Sequence, residues 1–183
     1  MNQFHEINDV EQPDFENVVD LYYAALYRFA YALTRSEPDA SDLTQQTFCV
    51  WATKGDQLKD PSKVKSWLFT TLHRLFLGAH RRLTRFPHCE LSAVEAELPT
   101  TEPNNVDQLE SAQLFQALGR LDQVYQAAVS LFYLEDCSYK EIAQMLDVPL
   151  GTVKSRIARG LTQLHKFLSI GGSKDTVETK SHC

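Results

Sequence analysis

The stretch SYKEIAQMLDVPLGTVKSRIARGLTQLHKFL, Ser138 to Leu168, decides the fold. Ser138 followed three residues later by Glu141 predicts a capping box at a helix start, each side chain answering an orphaned backbone donor. Ile142, Ala143 and Leu146 then share one helical face, and Asp147-Val148-Pro149 breaks it, because Pro149 disfavours helical geometry at Val148. Beyond the break Val153, Ile157, Leu161 and Leu164 recur at four, four and three, the stripe of a second helix facing a core. The pattern is that of a helix-turn-helix. At about 100° per residue Thr152, Ser155, Ala158 and Arg159 project away from that stripe, with Lys154 and Arg156 on its flanks. Arginine and lysine suit guanine edges, a serine hydroxyl suits either base type, and alanine admits a thymine methyl. The plain alternative is an amphipathic hairpin with a solvated basic face. Charge segregation weighs against it: Leu150 to Leu168 carries Lys154, Arg156, Arg159 and Lys166 and no acid, in a chain of net charge -6.

Working outward, 183 residues with 43% hydrophobic content suffice for one ordinary domain or two small ones. Apolar residues recur at three and four, β-branched alternation is nearly absent, and glycine and proline are few, so the expected class is all-α. Cys49, Cys89, Cys137 and Cys183 lie far apart without a C-x-x-C pair, which argues for reduced thiols and against a zinc site or disulfide framework. The N-terminal MNQFHEINDVEQPDF lacks the apolar core of a signal peptide and no run reaches membrane-spanning length. The cytoplasm is the expected compartment, with no membrane insertion.

Charge is blocked along the chain. Acids exceed bases eleven to four from Met1 to Asp60; Pro61 to Arg85 holds six bases and no acid; Phe86 to Gln123 has seven acids and one base. Two basic islands in an acidic chain suit a protein brought to DNA by a larger partner, since only the islands attract phosphate.

In chain order, a mobile leader over 1–13 precedes a helix capped by Asp14, with Phe15, Val18, Val19, Tyr22, Leu26, Phe29, Ala30 and Leu33 on its stripe. Ser36 and Pro38 announce a second helix, which packs through Leu43, Phe48 and Trp51 among the polar positions Asp39, Asp42, Gln45 and Gln46; Asp42 and Gln45 stand on or near an exposed face, where plain solvation is the alternative. A polar connector, Gly55 to Lys63, leads to a third helix over 64–83. There Trp67, Leu68, Thr71, Leu72 and Leu75 face inward by spacing, and His73, Arg74, Phe76, His80, Arg81 and Arg82 occupy the remaining surface. Rings interleaved with cations suit single-stranded nucleic acid, which stacks on one and pairs its phosphates with the other; a solvated basic helix end is the alternative for Arg81 and Arg82. Residues 86–105 lose periodicity among Pro87, Pro99, Pro103 and four glutamates, and read as an extended acidic linker whose length allows two domains to sit apart on a partner. Helical spacing resumes at Val106, Gly119 ends that helix, and Asp122 caps the next, giving a second small helical domain over 106–168 after a first over 14–85. The tail, 169–183, is expected to be disordered.

These pieces resemble the extracytoplasmic-function (ECF) sigma factors, small promoter-recognition subunits of bacterial RNA polymerase. DASDLTQQTFCVWA (Asp39 to Ala52) is similar to the family's polymerase-binding helix, KSWLFTTLHRLFLGAHRR (Lys65 to Arg82) to its minus-ten helix, and LEDCSYKEIAQMLDVPLGTVKSRIARG (Leu134 to Gly160) to its minus-thirty-five helix-turn-helix. The resemblance implies that Asp39, Asp42, Leu43, Gln45, Gln46 and Phe48 belong to the docking element for core RNA polymerase. It implies a melted minus-ten strand held around Lys59, Lys63, Lys65, His73, Arg74, Phe76, His80, Arg81 and Arg82. Thr152, Lys154, Ser155, Arg156, Ala158 and Arg159 would then meet minus-thirty-five duplex. Arg74, Gly78 and Gln46 stand where the family often has asparagine, aspartate and glutamate. An anti-sigma factor is a further partner implied by the resemblance.

The competing reading is a stand-alone helix-turn-helix regulator that binds duplex DNA by itself at paired half-sites. A third is a helical interaction protein that never reads DNA. No metal spacing, phosphate-binding glycine loop or nucleophile motif is present, so neither enzyme activity nor a cofactor or metal is expected.

Overall fold

The computed structural model describes the backbone of residues 14–85 and 114–171, with side chains over 14–82 and 114–167. The expected leader, acidic linker and most of the tail lie outside these residues. Seven α-helices and no strand occupy the described part: α1 (Phe15–Thr34), α2 (Glu37–Lys54), α3 (Val64–Arg85), α4 (described over 114–119), α5 (Gln123–Leu134), α6 (Tyr139–Leu146) and α7 (Leu150–Gly171). The all-α expectation holds. The last helix runs through residues 169–171, the first three of the expected tail.

Local chemistry explains the breaks. After α1 the chain turns at Arg35, whose left-handed φ of 57° leaves its N–H donating to Tyr31 O at 2.8 Å. Ser36 then caps α2 by accepting the Asp39 N–H, and Pro38 sits in the first turn, where no donor is missed. Two 3-10 turns, Gly55–Gln57 and Pro61–Lys63, form the connector; in the second, Asp60 accepts from the Ser62 N–H at 3.1 Å and hydroxyl at 2.6 Å. Asp14 and Asp122 hold extended backbone at their helix starts without capping through their side chains. Asp122 instead accepts from the Gln163 amide at 2.8 Å, tying the start of α5 to α7.

The first helices pack through Val18, Leu26, Phe29, Ala30, Leu33, Leu43, Phe48, Trp51, Leu68 and Leu72, all buried. Phe69 is also fully buried, its ring 5.5 Å from that of Phe29, although the inward stripe expected of α3 omitted it. That helix packs on α1, α2 and α6 at once, so its apolar arc is wider than a one-sided stripe. Phe15 reverses its expectation: at the first turn of α1 it remains exposed. In the second half Val153, Ile157 and Leu164 are buried and Leu161 half-buried, as the spacing predicts. The helices α5 and α7 approach so closely that a Cβ at Gly160 would fall inside the radius of Val129 Cγ2 and 3.2 Å from Tyr125 Cβ.

In the free chain the two halves pack on each other. A single buried cluster runs from Val18 through Leu131 to Ile157, crossing from α1 and α3 into α5, α6 and α7. A smaller cluster, Ala117, Leu118, Leu121, Val129 and Leu164, holds α4, α5 and α7 together.

Candidate nucleic-acid interface

The helix-turn-helix is α6 and α7. Its entry is fixed by the full capping box: the Glu141 carboxylate accepts from the Ser138 N–H at 2.8 Å and hydroxyl at 2.7 Å, and Ser138 Oγ accepts from the Glu141 N–H at 3.3 Å. Those bonds hold the Glu141 carboxyl below its ordinary range. At the turn Asp147 takes left-handed φ of 55° and the Val148 N–H reaches back to Ala143 O at 3.1 Å. Pro149 O then accepts from Thr152 and Val153 and starts α7. On that helix Lys154, Ser155, Ala158 and Arg159 are exposed, while Thr152 and Arg156 are half-buried. The Ser155 hydroxyl donates to Thr152 O at 2.9 Å, which leaves its lone pairs facing outward as acceptors.

The second basic island lies on α3 and its connector. Lys59 and Lys63 are exposed, Lys63 within 3.6 Å of Asp60, whose carboxyl the Ser62 bonds hold low. Arg74, His80, Arg81 and Arg82 are exposed, and Phe76 is half-buried against the core. Three members of this set also reach toward the other half of the chain. Lys65 donates to Glu135 O at 3.1 Å, Arg74 reaches Asp147 at 3.7 Å, and His73 is half-buried beside Arg156. Burial first, then the Arg156 and Arg74 charges, push His73 down to about 4, so its imidazole is neutral at pH 7.

A third surface is the outer face of α2. Asp39, Asp42, Gln45 and Gln46 are exposed; Leu43 and Phe48 are buried beneath them and position the helix rather than offering contact area. A cleft of about 600 Å³ runs beside this face, between Asp39, Asp42 and Gln46 on one side and Gln123 and Gln126 on the other. Among the described residues no group of three or more His, Cys, Asp or Glu could hold a metal ion, and no helix is long and apolar enough to cross a membrane.

Sequence reasoning missed the residues that join the halves. The Arg28 guanidinium donates through Nε and one terminal nitrogen to the two Glu135 oxygens, each at 3.2 Å, and the Gln126 amide donates to Ala32 O at 2.6 Å. Glu135 is buried, and desolvation lifts its carboxyl above the ordinary range despite the opposing pull of Arg28 and Lys65. The only sequence signal is an acid placed directly after the apolar run Val129 to Leu134.

Residues 18–86 match the family model Sigma-70 region 2, and residues 111–164 match Sigma-70, region 4. The chain is 36% identical over 161 residues to the ECF RNA polymerase sigma factor SigE of Mycolicibacterium smegmatis, covering 86% of this chain and 62% of that one. The chain belongs to the ECF sigma factors. This sigma factor is 28% identical over 151 residues to EcfG of Rhodopseudomonas palustris, covering 82% of itself and 83% of the relative. Its fold matches that of the sigma factor RpoE, solved in complex with the anti-sigma factor NepR from Bartonella quintana, with a TM-score of 0.71 at 28% identity, over 86% of this chain and 98% of that one. A sigma subunit directs promoter recognition as a non-enzymatic, DNA-recognising part of RNA polymerase, and both of the matched regions are present here.

Proposed function

We infer that this sigma factor reads two promoter elements with its two basic surfaces while α2 docks on core RNA polymerase. The observation that carries this reading is the exposed Lys154, Ser155, Ala158, Arg159 face on a fully capped helix-turn-helix, in the same chain as a separate acidic docking face. Lys154 and Arg159 contact base edges of minus-thirty-five duplex, Ser155 accepts from them, and Arg156 and Thr152 serve the flanking phosphates. Lys59, Lys63, Lys65, His73, Arg74, Phe76, His80, Arg81 and Arg82 form the minus-ten set. Of these, the exposed cations meet phosphates and Phe76 and His80, 6.3 Å apart, supply rings for unstacked bases. Asp39, Asp42, Gln45 and Gln46 make the polymerase contact. Residues 14–85 and 106–168 are the two functional units, joined by 86–105. The protein needs no cofactor or metal, performs no catalysis and works in the cytoplasm. Because the RpoE relative was solved with an anti-sigma factor, a restraining protein partner is part of this proposal.

Transcription from a genomic library by core polymerase plus this protein, with start-site mapping, tests the reading. Specific start sites sharing an upstream element are expected. Arg159→Ala should cost about 1–3 kcal/mol of discrimination at one position of that element while leaving core binding intact. Duplex binding at paired half-sites without polymerase would instead favour the stand-alone regulator.

A further inference from the structure

The contacts between the two DNA-reading units are ordered and mutual. Arg28 of α1 holds Glu135 at the end of α5 through a two-pronged fork, and Lys65 at the start of α3 donates to the same residue's carbonyl. The Gln126 amide satisfies Ala32 O, one of the carbonyls left without an intrahelical partner in the last turn of α1. Arg35 lies across Gly119 so closely that a Cβ there would overlap its Cδ, and the rings of Tyr31 and Phe115 meet edge to face at 5.5 Å. Meanwhile α6 covers one side of α3, bringing Arg74 to within 3.7 Å of Asp147, and the charge of Arg156 on α7 reaches His73.

This arrangement cannot read a promoter. Elements numbered minus thirty-five and minus ten lie about 25 base pairs apart, or about 85 Å of B-form DNA at 3.4 Å per pair, whereas the two readers here touch. We propose that the Arg28–Glu135 fork is an intramolecular latch that holds the sigma factor closed, covering the His73 side of α3 until the units separate on polymerase. The latch rests on the two-reader function but describes the free protein, and it needs no second protein.

Its chemistry makes it breakable. Closing takes the Glu135 carboxylate almost wholly out of water, with 4% of the side chain exposed, while Arg28 remains 45% exposed. Desolvating a carboxylate costs much of what the pair returns, so the fork gives the closed state its geometry more than its strength. Removing Arg28 alone leaves a buried, uncompensated charge that only opening can rehydrate. Replacing both partners with apolar side chains removes the desolvation cost and should tighten closure.

The test uses the full chain. Small-angle scattering on the free protein should give a compact particle, Arg28→Ala should raise the radius of gyration by several Å at unchanged helical circular dichroism, and Arg28→Met/Glu135→Leu should return it to the compact value. In reconstituted transcription the double variant should initiate no faster than wild type at limiting protein, because a pair replaced by apolar groups holds as well or better. An extended wild type, a folded Arg28→Ala as compact as wild type, or a double variant that stays extended or initiates faster than wild type would each overturn the latch. Should Arg28→Ala lose its helix signal, the double variant decides alone. Scattering needs no polymerase, so a compact wild type opened by Arg28→Ala but inactive at every promoter would sink the promoter reading and leave the latch standing.

Discussion

Alanine in place of Gly160 and alanine in place of Gly151 are the same substitution in one helix, and the structure gives them opposite signs. At Gly151 an added Cβ meets nothing within 4 Å, so only the helix preference for alanine acts, a gain of up to about 1 kcal/mol. At Gly160 the same atom drives into Val129 Cγ2 and reaches Tyr125 Cβ at 3.2 Å. Val129 is β-branched, fully buried and in mid-helix, so it cannot rotate away, and α5 and α7 must part instead. Overpacking of this kind costs about 1–3 kcal/mol; taking the upper end for a rigid neighbour and subtracting the helix gain leaves a net loss of about 2 kcal/mol. The two variants should therefore differ by about 3 kcal/mol, or about 6–12 °C in Tm for a chain of this length. Urea titrations at 25 °C provide the assay. Val129→Ala, which opens the space, should reduce the Gly160→Ala penalty by at least about 1 kcal/mol in a double-mutant cycle. A Gly160→Ala protein as stable as Gly151→Ala, or a penalty unchanged by Val129→Ala, would refute the packing account of this helix pair.

Ser138→Ala removes the hydroxyl that accepts the Glu141 N–H, and should lower stability by about 1 kcal/mol in urea unfolding, with the largest rise in hydrogen exchange in α6. His73 supplies a pH dependence. Its folded value, about 4, lies below the ordinary 6.5, so the unfolded chain binds the extra proton: the stabilisation is complete above pH 6.5 and is lost as pH falls toward 4. The full effect is at most about 3 kcal/mol, reduced by the partial exposure of the ring. Stability measured from pH 7 to 4 should fall less steeply in His73→Gln than in wild type, and parallel curves would count against a neutral, enclosed imidazole.

The helix-turn-helix was legible because its signals are local. A capping box spans four residues, the Asp147-Val148-Pro149 break is set by proline sterics, and the Val153 to Leu164 stripe is periodic; all three stand in the structure. Exposure of Asp42 and Gln45 followed from the same periodicity. Phe69 escaped because a stripe presumes one neighbour and α3 has three. Contacts between the halves escaped for a deeper reason. Arg28, Gln126 and Glu135 are residue types that ordinarily sit in water, and their partners lie 94 and 107 residues away, a separation no local pattern encodes. Buried apolar area along α1 and α5 joins the two halves in the free chain, a packing that no short-range pattern announces.

The continuous core also bears on how long the protein lasts in the cell. While the units are closed, the apolar faces of α1, α3, α5 and α6 cover one another, and cleavage sites on them are out of reach of a protease. Once they part without a polymerase to receive them, those faces are open, and degradation follows the population of the open form. A sigma factor left unemployed in its open state thus carries the means of its own removal, and its turnover rate reports how often it opens without finding work.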